Sequence, residues 1–286
     1  MDDRIAYQAQ LARLADAASF VVRSVGRWLR QERESITEDV VEMKQPGDFV
    51  TDRDRMADKR LREELLSILP GSGVLSEEGK AIKGDGFWRW IVDPLDGTTN
   101  YLAGLPHWAV SVALEDRNGI RSGWGELVFG IVYLPILDRL YLARKGHGAK
   151  CNGKPIQLGK PRLQRRSTIS HWWPMSTGKP MTGFLQIVDS LHGRVGGIRN
   201  VGSPASELAL VAHGELDGFF ATDMEPADLA AGILLMQETG GVVGDPWGRD
   251  PLDSGWIIAG SEPVHELLRK EIRDVFRSAP KKKDRS

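Results

Sequence analysis

The hydrophobic positions of the chain follow a few distinct rhythms. Between residues 5 and 30, Leu11, Leu14, Ala15, Ala18, Val22, Val25 and Leu29 recur at spacings of three and four. That is the period of a helix with one apolar face. A second helix is predicted from Asp54 to Leu69, with Met56, Leu61, Leu65, Ile68 and Leu69 turned inward and Pro70-Gly71 as its stop. The polar stretch from Lys44 to Thr51 reads as a connection. Beyond residue 70 the apolar runs shorten. Gly73 to Ser76 is a short apolar piece ending in Glu77-Glu78, and Trp88 to Val92 reads as a strand running into Asp93. Ala109 to Leu114, Gly123 to Tyr133 and Arg139 to Ala143 read as further strands, with Pro135 to Asp138 as a hairpin connection and Asn152-Gly153 as a turn.

A second half begins near Pro161. Helices are predicted at 183–191, 206–213, 227–239 and 262–276, and short strands at 242–243 and 256–259; residues 164–183 show no clear period. The expected organisation is one mixed α/β domain over 1–279, with halves of about 1–160 and 161–279 and a flexible basic tail at 280–286.

Composition narrows the class. Lys+Arg is 38 and Asp+Glu is 39, a net charge of −1, which disfavours a generally basic nucleic-acid binder. The chain has one cysteine, Cys151, so no intrachain disulfide can form. The N-terminus, Met1-Asp2-Asp3-Arg4, is acidic where a secretory leader would be basic, and no apolar run reaches membrane-spanning length. The expectation is a cytoplasmic protein without membrane association. With 32 glycines, the chain suits a fold with many tight turns.

The candidate chemistry lies in Trp90 to Asn100. A hydrophobic strand delivers Asp93, Pro94 forces a bend, Asp96 follows, and Gly97 permits a tight path into Thr98-Thr99. A helix start preceded by glycine can receive an anion on its N–H groups. Asp48 and Asp54 flank Val50-Thr51, Glu77 ends a short apolar piece, and Asp228 opens the predicted helix at 227–239. Carboxylates gathered around a phosphate repel it unless hard cations intervene, and oxygen ligands suit Mg²⁺. The six histidines show no zinc-binding pair. The implied reaction is attack of water on a phosphate monoester, assisted by paired metal ions.

Several of these segments resemble the inositol monophosphatase family. Asp93-Pro94-Leu95-Asp96-Gly97-Thr98-Thr99-Asn100 is similar to its first signature; Asp228-Leu229-Ala230-Ala231-Gly232, followed by Glu238-Thr239-Gly240-Gly241, is similar to its second. Asp48 to Asp54 and Ser76-Glu77-Glu78 match two upstream motifs in order and spacing. The resemblance implies an αβαβα sandwich of the sugar-phosphatase type, two or three Mg²⁺ ions, inhibition by Li⁺ and a homodimer. It gives the metals to Glu77, Asp93, Asp96, Asp228 and the Leu95 carbonyl. It gives phosphate to the Gly97 and Thr98 N–H groups. Water activation falls to Glu77 and to Thr98 paired with Asp48. Substrate contacts fall to Asp96, Asp228 and the loop Gly202-Ser203-Pro204-Ala205, chiefly Ser203 and Ala205.

Three departures stand on the side that reads the leaving alcohol. Ala227 replaces the usual Trp before Asp228, Ala221 stands where an alcohol-binding acid is expected, and Pro204 replaces a small residue. Asp223 and Glu225 are the candidates to replace the missing acid. Inositol 1-phosphate is the first substrate to expect, with histidinol phosphate, fructose 1,6-bisphosphate, nucleotide 3′-phosphates or other sugar phosphates as alternatives. A non-enzymatic scaffold binding RNA or the transcription machinery is the other class. Only the basic stretches Arg162 to Arg166 and Lys281 to Arg285 favour it.

Overall fold

The structure is a computed structural model that describes residues 2–33, 41–45, 48–120, 123–160, 162, 164–172 and 181–276, with backbone only at 2–4 and 41–50. The sequence tail at 281–285, Pro161 and Trp173 lie outside the described residues.

The first half opens with α1 (Asp2–Glu32), β1 (Val41–Gln45), β2 (Asp48–Thr51) and α2 (Asp52–Ile68). A run of strands follows: β3 (Gly73–Ser76), β4 (Trp88–Asp96), β5 (Ala109–Asp116), β6 (Glu126–Leu134), β7 (Arg139–Arg144), β8 (Ala149–Cys151) and β9 (Lys154–Ile156), with the short α3 (Thr98–Ala103) between β4 and β5. These seven strands form one sheet in chain order. Only β3 and β4 pair in parallel; the other pairs are antiparallel.

The second half carries β10 (Thr168–Trp172), α4 (Thr182–Leu191), β11 (Gly197–Arg199), α5 (Pro204–Ala212), β12 (Gly218–Ala221), α6 (Pro226–Glu238), β13 (Val242–Gly244), α7 (Pro251–Ser254), β14 (Ile257–Gly260) and α8 (Glu262–Val275). Its sheet has the order β11-β10-β12-β14-β13.

Alternation along the strands builds the layers. Trp90 and Val92 of β4, Val110, Val112 and Leu114 of β5, and Phe129, Ile131 and Tyr133 of β6 face the apolar stripe of α1 and α2. The intervening residues Ile91, Ala109, Ala113, Val132 and Leu134 face the other way, onto α5 and α6. The same core reaches Phe219, Ala221, Ile257 and Ala259 of the second sheet. That sheet's outer face, with Ile169, Phe220 and Ile258, packs on α4 and α8. Helices, seven-stranded sheet, helices, five-stranded sheet and helices therefore stack as αβαβα. Because the large sheet is covered on both faces, its strands read as nearly continuous apolar runs.

Several expectations change at this level. The polar connection over 44–51 is part of an antiparallel pair, β1 with β2. Among the described residues the two strands pair only with each other, so backbone pairing defines them without an apolar rhythm. Met56, expected inward, is exposed, because α2 turns its Asp54–Ala57–Leu61–Leu65 side to the core. The segment without a period contains β10, whose His171 packs between Phe184 and Phe220 at ring separations of 4.6 and 5.7 Å. His171 is thus a packing residue of this layer. β12 was also not anticipated; its four residues are buried throughout.

Candidate active site

Strand β4 carries the core of the site. Its pairing with β5 slips between Asp93 and Asp96, where three steps along β4 match two along β5. Pro94 lies in this bulge and has no N–H to donate. The freed Leu95 N–H donates to Asp93 Oδ1 at 2.9 Å. Asp93 Oδ2 is buried and receives no hydrogen bond from the described residues.

Two further carboxylates meet Asp93. Glu77 follows β3, and its N–H donates to the Val92 carbonyl at 3.1 Å, so the parallel β3–β4 pair sets it beside Asp93. Asp228 sits in the first turn of α6, where its Oδ2 accepts the Glu225 N–H at 2.8 Å. Ligand oxygens of Glu77, Asp93 and Asp228 all lie within 4.8 Å of one another. Like charges this close, with Asp93 fully buried, lift the Asp93 carboxyl well above the ordinary carboxylate range; burial is the leading cause, followed by Glu77, Asp96 and Asp228.

Asp96 lies next to the trio but is held differently. Its Oδ2 accepts the Ser203 hydroxyl and, at 2.9 Å, the Ala205 N–H. Burial and the Glu77 charge raise its pKa to about 7 against these stabilising donors. Ser203 and Ala205, expected to touch substrate, are thereby tied to Asp96. Pro204 also acquires a reason: it is the first residue of α5, where the missing N–H is no loss, and it leaves Ala205 to donate to Asp96.

Thr98 meets an acid that the resemblance does not assign to it. Its hydroxyl oxygen lies 3.0 Å from Asp54 Oδ1 and 3.1 Å from the Leu95 carbonyl, the two acceptors available to its one hydrogen. Asp54, one of the two acids flanking Val50-Thr51, is thus a partner of Thr98; the side chain of Asp48, the expected partner, lies outside the described residues. The physical reason is a capping box. Thr51 caps α2 through the Arg53 and Asp54 N–H groups, and Asp54 Oδ2 accepts the Thr51 N–H at 2.8 Å. This leaves Oδ1 facing Thr98. Thr51-x-x-Asp54 spells that motif in the sequence, and would have favoured Asp54. The Leu95 carbonyl, expected to ligate metal, is the alternative acceptor of the Thr98 hydrogen.

Gly97 joins the bulge to α3 with φ +90°. A β-carbon there would lie 3.0 Å from both the Gly202 carbonyl and Ser203 Cβ, and 3.2 Å from the His107 carbonyl. The loop before α5 thus packs directly on the Gly97 turn. Two residues without a role in the sequence reading secure that loop. Asn100 Nδ2 donates to the His107 and Val201 carbonyls at 2.6 and 2.7 Å, and Glu207 Oε1 accepts the Val201 N–H at 3.0 Å. Glu207 is completely buried on α5, and no helical or strand pattern marks such an acid in advance.

The donor set consists of carboxylate oxygens, the choice of a hard divalent cation. The orphaned Asp93 Oδ2 among converging acids fits such an ion better than an empty cavity, since a positive charge offsets the repulsion that helps raise the Asp93 carboxyl.

Residues 10–277 match the sequence profile of the inositol monophosphatase family. The chain belongs to the inositol monophosphatase family. An inositol-1-monophosphatase of Rhizobium meliloti (strain 1021) is 42% identical over 82% of this chain and 86% of that protein. Nus factor SuhB of Escherichia coli (strain K12) is 34% identical over 86% and 91%. The solved structure of the extragenic suppressor protein suhB from Bartonella henselae superposes with a TM-score of 0.83 at 35% identity, covering 91% of this chain and 98% of that one. In this inositol monophosphatase family member the acids Glu77, Asp93, Asp96 and Asp228 are all present, whereas Ala221 stands in place of the expected alcohol-binding acid. Ala227 and Ala221 are buried, the former accepting the Ser111 hydroxyl on its carbonyl at 3.4 Å.

Proposed function

We propose that the chain is a Mg²⁺-dependent phosphatase of small phosphate monoesters, with inositol 1-phosphate as the preferred substrate. The observation that carries this reading is the convergence of Glu77, Asp93 and Asp228 beside the Gly97–Thr98 turn. Names of relatives support the inositol substrate. Glu77, Asp93, Asp96, Asp228 and the Leu95 carbonyl would hold two or three Mg²⁺ ions. Bound there, magnesium would screen the phosphate charge, lower the pKa of water and stabilise the leaving oxygen.

The chain's own groups do the rest. The N–H groups of Gly97 and Thr98 receive the phosphate oxygens at the start of α3. With its hydrogen directed to Asp54, Thr98 Oγ1 can take a proton from the attacking water as its own proton passes to Asp54, with Glu77 as the second acceptor. Asp96, oriented by Ser203 and Ala205, holds a hydroxyl of the leaving alcohol. Lithium inhibition, a homodimer and a cytoplasmic location belong to the same proposal. Among the described residues, no helix is long and apolar enough to cross a membrane.

A panel of inositol 1-phosphate, histidinol phosphate, fructose 1,6-bisphosphate and a nucleoside 3′-phosphate, assayed with Mg²⁺ and then with added Li⁺, tests the reading. Inositol 1-phosphate should show the highest kcat/KM, with activity lost on chelation and reduced by Li⁺. Absence of Mg²⁺-dependent phosphate release from every ester would refute it. The likeness to SuhB favours, as a second reading, a role as a binding scaffold. RNA binding with a steep salt dependence would support that role.

A further inference from the structure

Helix α2 carries two buried aspartates one turn apart. Asp54 serves Thr98, as described. Asp58, 5% exposed, faces the turn that follows β3. Its Oδ1 accepts the Ser76 hydroxyl, and its Oδ2 accepts Arg62 Nη1 at 3.1 Å. The other arm of the same guanidinium donates to the Lys80 carbonyl at 2.6 Å. Gly79 lies between: a β-carbon built on it would fall on Arg62 Nη1 and crowd Asp58 Oδ2. The Asp58–Arg62 pair therefore touches the turn at Ser76, Gly79 and Lys80, and Glu77 sits inside that span.

We propose that Asp58 and Arg62 are positioning residues that clamp the 76–80 turn so that the Glu77 carboxylate is aimed at Asp93 and Asp228 before a cation arrives. Glu77 is exposed, and its N–H donates to the Val92 carbonyl. A ligand on an exposed turn must be ordered when it binds, and that ordering opposes binding. A turn already fastened to a helix removes most of this cost. Groups that orient metal ligands from behind commonly change metal affinity by about 10- to 100-fold when removed. Ser76 immediately precedes Glu77, so the bond from its hydroxyl to Asp58 acts on the chain one residue from the ligand. The inference deepens the phosphatase reading and rests on it for the identity of the cation.

The test uses the full chain with Asp58→Ala, Ser76→Ala and the double variant. Mg²⁺ affinity is measured by calorimetry without substrate, and amide exchange over 77–82 is measured in metal-free protein. Each single variant should weaken Mg²⁺ by about tenfold and speed exchange locally. The double variant should be no worse than the weaker single one, because both remove one shared contact. KM for inositol 1-phosphate at saturating Mg²⁺ should stay within twofold of the unmodified chain, which a general loss of structure would not permit. If Asp58→Ala does not fold, Ser76→Ala, which deletes only a hydroxyl, decides the matter. Normal exchange or normal Mg²⁺ affinity in a folded variant overturns the clamp. Unmodified protein that neither binds Mg²⁺ nor releases phosphate overturns the phosphatase reading instead, and the exchange data then still judge the clamp.

Discussion

Replacing Gly97 by alanine should damage stability and turnover together. The residue sits at φ +90°, ψ 43°, where a β-carbon is unfavourable by about 1–2 kcal/mol. The added methyl also meets the Gly202 carbonyl and Ser203 Cβ at 3.0 Å and the His107 carbonyl at 3.2 Å. These are backbone or near-backbone atoms, held by Asn100 and Glu207, so they cannot step aside cheaply. Overpacking of this kind costs about 1–3 kcal/mol, giving a total near 2–5 kcal/mol. Gly153, at φ +78° with nothing within 4 Å of a built β-carbon, supplies the control. Its alanine variant bears only the conformational part, so the difference between the two isolates the crowding. Both would be unfolded in urea, and phosphate release with saturating Mg²⁺ would be followed on the same preparations. Gly97→Ala should also lose turnover, since any retreat of Ser203 releases Asp96. Equal unfolding free energies for the two variants, with full turnover in Gly97→Ala, would refute the close approach of the two loops.

Asp93→Asn should fold, because its side-chain oxygen can still accept the Leu95 N–H, while Mg²⁺ binding by calorimetry and turnover are both lost. Removing Asp54 as Asp54→Ala should cost about 1 kcal/mol through the lost cap of α2, read by chemical denaturation, and should lower kcat while leaving Mg²⁺ affinity within a few-fold. The metal-free protein should lose stability as pH rises from 5 to 8. Asp93 and Asp96 have folded pKa values raised above their unfolded ones, so their contribution is complete below about pH 4 and disappears as pH passes the folded values, near 7 for Asp96. Added Mg²⁺ should reverse that trend in a thermal melt; a metal-free Tm that climbs over this range would contradict the crowding of these carboxylates.

Much of the architecture was legible because the two large cores demand long, regular stripes. The α1 positions Leu11 to Leu29 and the strands β4 to β6 announce themselves, since each must cover another layer. The small second sheet was harder. β12 is four residues long and buried on both faces, too short for a period to be read, and β10 interleaves Ser170 and His171 with its apolar residues. At the site, Glu77, Asp93 and Asp228 could be named from their positions at strand ends and a helix start. The contact of Thr98 with Asp54 could not be read from proximity in a motif; it follows from Asp54 capping α2 with one oxygen and facing Thr98 with the other. Asn100 and Glu207 act through bonds to residues about a hundred positions away and six positions away respectively, and only the folded chain brings their partners within reach.

The trio that would grip magnesium draws Glu77 and Asp93 from one sheet and Asp228 from a helix sandwiched between both. A cation there would act as a rivet between the two halves of the polypeptide. Folding and ion capture are then linked: neither half alone can assemble the grip, and every gain in occupancy tightens the seam between them by mass action. Starvation for magnesium would loosen the whole molecule as well as silence it.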